Sequence, residues 1–386
     1  MTTPASGEIS IQDIVDEFGG TAPHAMSEYY GVGDVPASGQ LKMSDFYGQS
    51  NIIPAPVGLI VPYTSGTAPS GWTRFTSADN RFIVGAGSSY AGGATGGSSS
   101  ASFPGTTSSA GAHPYLSHPT SGMQGGASPS GASLAQTAGA HSHTFNIPVS
   151  PSEDAYKNFV LIKCTSSGVQ IPQNAMLLAT TSLSGLTNVE TTTDRFMRAA
   201  SSYGGTGGSG SLSGSVTTSS AGSHNHGVGN KGGESPAAAH VSSGAHTHTA
   251  SLTGSLNTKR IYVSAWTNAS ASYDLTANGI AMWESATPPS GWRLCNGASG
   301  APDLRDYFVR IGTTGNHGTT SGNNSAPWSV SASGNAPHGH SGGSQPNSGP
   351  GNSKNGGFPW PHSHSASGST SIVPPYYALY FIQYTG

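Results

Sequence analysis

YYALYFIQY, residues 376–384, is a nine-residue run that is almost wholly aromatic or aliphatic, entered through Pro374-Pro375 and followed by Thr385-Gly386. It is too short for a typical buried helix and is bounded by chain-breaking residues, so it reads as a strand. Two runs of the same character lie upstream, NFVLIK at 158–163 and RIYVSAW at 260–266. Each closes a longer pattern. An aromatic strand precedes each of them, RFIV at 81–84, RFMR at 195–198 and YFVR at 307–310. Before that comes an apolar run, VGLIV at 57–61, AMLLA at 175–179 and GIAMW at 279–283. In the first and third cases Pro-Ser-Gly-Trp follows, at 69–72 and 289–292. The period predicts three tandem units, 51–165, 170–268 and 279–386, with residues 51–56 as a linker into the first. The expected class is mainly β, with long irregular Gly/Ser-rich loops between the aromatic and closing strands. Loops of that length exceed the usual limit of roughly 12–15 residues, so something other than a local core must pin them.

The first 50 residues differ. Ser10 precedes IQDIVDEF, a capped helix ended by Gly19-Gly20. Two shorter echoes follow, MSEYYG at 26–31 and MSDFYG at 43–48. Residues 1–50 therefore read as a small α-helical head. Composition narrows the function. Only 8% of the 386 residues are charged, the net charge is −3, and no Lys/Arg patch exists, which argues against nucleic acid as a partner. No apolar run is long enough to span a bilayer, so membrane insertion is not expected. Cys164 and Cys295 make no disulfide framework and read as small buried hydrophobes.

Ten of the fifteen histidines fall into five His-x-His pairs, where chance would give on the order of 0.6. His141/His143, His246/His248 and His362/His364 occupy the later position in the three units. His224/His226 and His338/His340 occupy an earlier one. In the first unit the early position reads AGAHPYLSHP, with His113 aligned to His224, Tyr115 in place of the second histidine and His118 as a substitute. On an extended strand, residues i and i+2 share a face, so two imidazoles can approach one point. Three pairs around a threefold axis supply six nitrogens, which suits an octahedral first-row ion such as Fe²⁺. Zn²⁺ is the alternative, although its structural sites favour four ligands including Cys. A closed shell has no open position, so the metal would hold structure rather than catalyse. It would also stabilise segments that cannot pack alone.

The third unit resembles the tail-collar domain found in receptor-binding fibres of tailed bacteriophages. PPSGWRLCNG (288–297), PDLRDYFVRIG (302–312), the His-x-His pairs and PPYYALYFIQYTG (374–386) follow the order of motifs in that family. The resemblance is fullest over 279–386, less over 56–164 and least over 170–268, which lacks the Gly-Trp and Asp-Leu-Arg signatures. It implies three chains intertwined about an axis, with His-x-His pairs binding iron on it. ISIQDIVDEFGG (9–20) and LKMSDFYG (41–48) resemble short N-terminal segments of phage structural proteins. The expected protein is thus a virion component, a tail fibre or baseplate-tip adhesin. Its head would attach to other tail or baseplate proteins, and metal-pinned loops would bind a host surface glycan or outer-membrane receptor. Because this chain carries three units of its own, a single-chain pseudo-trimer is preferred to a homotrimer.

Trp328, Phe358, Trp360 and Tyr115 sit in polar stretches and are the candidate receptor contacts, since aromatic faces stack on sugars or anchor proteins. Glu153 and Asp154 are adjacent, so on one strand they point opposite ways and cannot flank a sugar as a glycosidase pair does. Glu234 and His240 lie in a Gly/Ala/Ser stretch with no ordered nucleophile. No enzyme activity is therefore expected. The readings set beside the adhesin are a depolymerase acting on surface glycan and a purely structural tail-tip adaptor.

Overall fold

The computed structural model describes residues 3–32, 35–48, 52–109, 141–149, 153–189, 194–220, 247–312, 316–332 and 363–386, and the backbone alone at 224–226 and 241–243. The chain is mainly β, about 40% strand, with one α-helix among the described residues and a closed eight-stranded barrel with extra strands.

The helix, α1 (Ile11–Phe18), begins at Ser10, whose hydroxyl accepts from the Asp13 N–H while the Asp13 carboxylate accepts from the Ser10 N–H. That reciprocal cap satisfies two end donors. Its Ile14 packs with Tyr29 and Phe46, which come from 3-10 turns Met26–Tyr29 and Met43–Phe46, so the head has its own small core.

Residues 51–165 supply β1 (Ile60–Tyr63), β2 (Trp72–Arg74), β3 (Phe82–Gly85), β4 (Thr95–Gly96), β5 (Ala101–Thr106), β6 (Thr144–Val149) and β7 (Tyr156–Cys164). Residues 170–268 supply β8 (Leu177–Ala179), β9 (Thr187–Asn188), β10 (Arg195–Ala199), β11 (Thr206–Gly207), β12 (Ser211–Thr217), β13 (His224–His226), β14 (Val241–Ser243), β15 (Thr249–Ser255) and β16 (Arg260–Thr267). Residues 279–386 supply β17 (Ile280–Trp283), β18 (Trp292–Leu294), β19 (Phe308–Ile311), β20 (Thr320–Ser321), β21 (Ser325–Ala332), β22 (His364–Ser371) and β23 (Tyr376–Tyr384).

Each long closing strand pairs antiparallel with the opening strand of its own segment: β7 with β1, β16 with β8, β23 with β17. Its other half pairs in parallel with the aromatic strand of another segment. Tyr156 meets Phe196, Arg260 meets Phe308 and Tyr376 meets Phe82. The partner passes from first segment to second, second to third, and third back to first. The opening strands also join one another, through Ile60↔Met282, Ile280↔Leu178 and a 2.8 Å bond from the Met176 N–H to the Pro62 carbonyl. The aromatic strands do the same, through Arg198↔Phe82, Phe308↔Val84 and Phe196↔Arg310. The eight-stranded ring runs β7-β1-β17-β8-β16-β19-β3-β10 and back to β7.

Alternate residues of these strands enter different apolar clusters, as the pleat requires. Ile60, Leu161, Leu178, Met197, Met282, Val309 and Phe381 pack in one cluster, and Leu59, Val61, Ile162, Leu177 and Ile382 in another. Burying each such side chain stabilises by roughly 1.5–3 kcal/mol. A left-handed residue precedes each opening strand, Gly58, Asn174 and Asn278, with φ of 102°, 66° and 67°. Glycine and asparagine tolerate that conformation, which fixes where each strand starts.

The flanks of the His-bearing excursions correct one expectation. They are not structureless. β5 pairs β6, β12 pairs β15 and β21 pairs β22 as antiparallel hairpins, and β15 joins β21. Phe103, Phe145, Ile147, Val149, Leu212, Leu252 and Val330 form a core of their own between them. A local core therefore does exist, built from apolar residues that alternate with Ser, Thr and Gly. The middle parts of the excursions, 110–140, 227–240 and 333–362, lie outside the described residues.

A candidate metal centre

The hairpin bundle ends at a buried group of histidines. His143 comes just before β6, His248 just before β15, and His364 opens β22. They are 0%, 4% and 2% exposed. Their rings form a triangle, with centres 4.8 Å apart for His143–His248, 4.8 Å for His143–His364 and 5.0 Å for His248–His364. Each segment contributes one corner. His141, half-buried, lies against two of the corners, 5.1 Å from His143 and 5.3 Å from His364. The donor atoms of His141, His143 and His364 fall within 4.8 Å of one another, and these three could hold a metal ion.

The backbone around the cluster explains its precision. The His143 N–H donates to the Thr107 hydroxyl at 2.9 Å, and the His248 N–H to the Thr218 hydroxyl at 2.9 Å. The Thr107 and Thr218 N–H groups return bonds of 2.8 Å to the His143 and His248 carbonyls. In the third hairpin Ala332 pairs with His364 and has no hydroxyl to offer. Side chains tie the segments together. His143 Nδ1 lies 2.8 Å from the Ser219 carbonyl and His364 Nδ1 lies 2.9 Å from the Ser108 carbonyl. A carbonyl oxygen only accepts, so in both rings Nδ1 carries the hydrogen and Nε2 keeps the lone pair in the neutral form. The Nε2 atoms of all three corners are buried. This is the second-layer arrangement that presents Nε2 to a metal. Burial holds the His143 ring below the usual imidazole range; the Ser219 carbonyl opposes this, and the adjacent His248 and His364 rings add to it. A neutral ring is the form a metal needs.

The other expected ligands fare differently. His246 and His362 lie outside the described residues, as do His113, His118, His338 and His340. His224 and His226 fall on β13, which pairs with β14 as His224↔Ser243 and His226↔Val241. Among the candidate receptor contacts, Tyr115, Phe358 and Trp360 lie outside the described residues. Trp328 is not on an exposed loop. It sits within β21, its ring edge-on to Phe103 and Phe145 at 6.2 Å each, and its indole N–H donates to the Thr370 hydroxyl at 3.0 Å. Its half-buried ring packs on the hairpin core, which corrects its placement in an exposed loop. Asp154 is buried and accepts from the Thr258 hydroxyl. Both cysteines are free and buried, and burial pushes both thiols up.

Thr107, Thr218, Ser108 and Ser219 escaped the reading of the sequence. A signal was present: TTSSAGAH at 106–113 and TTSSAGSH at 217–224 differ at one position. No helix among the described residues is long and apolar enough to cross a membrane. No family model matches the chain, and no curated protein or solved structure is significantly similar to it.

Proposed function

We propose that this protein is a non-enzymatic virion component, a tail fibre or baseplate-tip adhesin, made of three tandem collar-like units about a pseudo-threefold axis and pinned by iron. The observation that carries the reading is the cyclic exchange of strands within one chain, together with an imidazole triangle to which each unit gives one corner. The pairings of the closing, opening and aromatic strands between units each recur three times, and the last unit returns to the first. That closure is what a single-chain pseudo-trimer requires. The motifs of 279–386 connect this architecture to phage fibres.

The ligand adjacency supports an octahedral ion. In an octahedron three ligands form a face in mutual contact, and a ligand of the opposite face touches two of them and stands opposite the third. His143, His248 and His364 have the first relation, and His141 adjoins His143 and His364, as a further ligand of such a shell would. A metal–nitrogen bond of about 2.1 Å would place ring centres about 4.6 Å apart at right angles or about 5.3 Å apart tetrahedrally. The observed 4.8–5.3 Å lies between the two and needs only a small adjustment for either. His246 and His362 would complete the shell with Fe²⁺, and a four-ligand Zn²⁺ site is the alternative. The ion would hold the bundle together, while the excursions beyond it display a surface for a host glycan or outer-membrane receptor. The head would join the protein to other tail or baseplate proteins.

The test combines light scattering of the full chain with metal analysis and adsorption competition. A monomer holding iron, whose addition blocks phage adsorption, is expected. A stable trimer would overturn the single-chain reading, and a metal-free protein unaffected by chelators would overturn the metal. Binding without competition would leave an adaptor in place of an adhesin.

A further inference from the structure

The three hairpins of the bundle are not held alike. β12, β15, β21 and β22 form one continuous four-stranded sheet, whereas β5 and β6 form a separate two-stranded one. The missing ladders have a local cause. The Thr107 N–H bonds to the His143 carbonyl, which fixes the phase of the β5–β6 pairing. In an antiparallel pair, alternate residues turn their N–H and C=O groups inward and outward. Positions 107, 105, 103 and 101 therefore turn inward, and 106, 104 and 102 outward, with 144, 146 and 148 outward opposite them. Pro104 and Pro148 occupy outward positions. Proline has no N–H, so each removes a donor from the edge that would join β22 or β12. Above the prolines the joining resumes. The Ser219 N–H bonds to the Thr144 carbonyl at 2.8 Å, and the Ser108 N–H to the Ser365 carbonyl at 2.8 Å. The Thr144 N–H donates to the Ser219 hydroxyl at 2.8 Å and the Ser365 N–H to the Ser108 hydroxyl at 3.3 Å. These bonds sit at the tip, beside the histidines.

We infer that β5–β6 is a hinged leaf and that the metal is its latch. This rests on the metal reading given above. Below the tip, the leaf adheres to the bundle through the side chains of Phe103, Phe145, Ile147 and Val149 and not through a backbone ladder. At the tip, His141 and His143 belong to the leaf, His248 and His364 to the laddered sheet. An ion bound across them ties the two parts together. Its removal leaves a two-stranded hairpin, which is marginal by itself in water. The leaf then opens locally while the four-stranded sheet persists, exposing an apolar face that the loaded protein conceals.

Thiol labelling of Val149→Cys and, as the laddered control, Leu252→Cys tests this in the full chain, with metal content measured on the same samples. Both native cysteines are buried, and Val149 and Leu252 are 5% and 1% exposed. Loaded with Fe²⁺, both variants should label slowly. After chelation, Val149→Cys should label about tenfold faster or more, and Leu252→Cys should change little. Hydrogen exchange of the unsubstituted chain reads the same contrast, with the Phe103 and Ile147 amides losing protection on chelation before those of β15 and β21. Equal acceleration of both regions would overturn the leaf while leaving the metal site intact. So would verified loss of metal with no acceleration in either. A chain that takes up no metal under any loading would overturn the latch together with the metal reading.

Discussion

Replacing His248 with alanine separates what its ring does by packing from what it does by ligation. The side chain is 4% exposed and its ring stands 4.8 and 5.0 Å from those of His143 and His364. Truncating a buried ring leaves a void and costs about 3–5 kcal/mol for phenylalanine; the smaller imidazole should cost about 2–4 kcal/mol. Ligation adds a separate amount. An ion present at about 1,000 times its dissociation constant stabilises the folded state by about 4.1 kcal/mol. Spread over a single transition of all 386 residues, that moves Tm by about 5 °C. If the hairpin bundle melts by itself, as a unit for which 1 kcal/mol moves Tm by roughly 4–8 °C, the shift is roughly 15–30 °C. Calorimetry on four samples, unsubstituted and His248→Ala, each with Fe²⁺ and with chelator, closes the cycle. The two chains should differ by about 2–4 kcal/mol in chelator and by about 4 kcal/mol more in Fe²⁺. Equal metal responses in both chains, or none in the unsubstituted one, would refute the argument.

Phe75→Ala should cost about 3–5 kcal/mol in urea unfolding, because the ring is 6% exposed and packs edge-on against Tyr377. Cys295 takes the same register in the third segment, both N–H groups donating at 2.8 Å to a closing strand, but it borders a cavity of about 160 Å³. Cys295→Ala should therefore cost only about 1 kcal/mol. Thr218→Val removes the acceptor of the His248 N–H and should cost about 1–3 kcal/mol, with weaker metal retention on dialysis. Asp306 predicts a pH effect. Burial pushes its carboxyl up, but bonds from the Ser89 N–H and from the Ser88 hydroxyl and N–H outweigh this and hold it below the ordinary value. Its contribution is thus present above about pH 4 and lost as pH falls through the folded value. Asp306→Asn, which tolerates the left-handed backbone at φ 62°, should flatten that part of the acid-unfolding curve.

Much of this protein is legible along the chain because its signals are local. Ser10 and Asp13 announce the helix start, the closing strands are largely apolar runs, and the His-x-His pairs stand out against a background of Ser, Thr and Gly. Strand ends shifted by a few residues: within the run read at 57–61 the strand begins at Ile60, although Gly58 and Leu59 already bond to Cys164, since Gly58 is held left-handed before it. The core of the hairpin bundle was readable in principle, as Phe145, Ile147 and Val149 alternate with polar residues, but such alternation in a Gly/Ser-rich stretch is easily passed over. What no local pattern contains is the order of exchange. That Tyr376 pairs with Phe82, nearly three hundred residues upstream, depends on which edges remain open once each segment has folded onto itself. The same holds for the imidazoles. Spacing places His141 and His143 on one face, yet His143 is fully buried and His141 only half, and bonds to Thr107 and to the Ser219 carbonyl, distant in sequence, hold the His143 ring in place. Residue types specify which groups can pair or ligate; only the closed ring of strands decides which of them meet, because meeting is a property of positions distant in sequence that packing brings within a few ångströms.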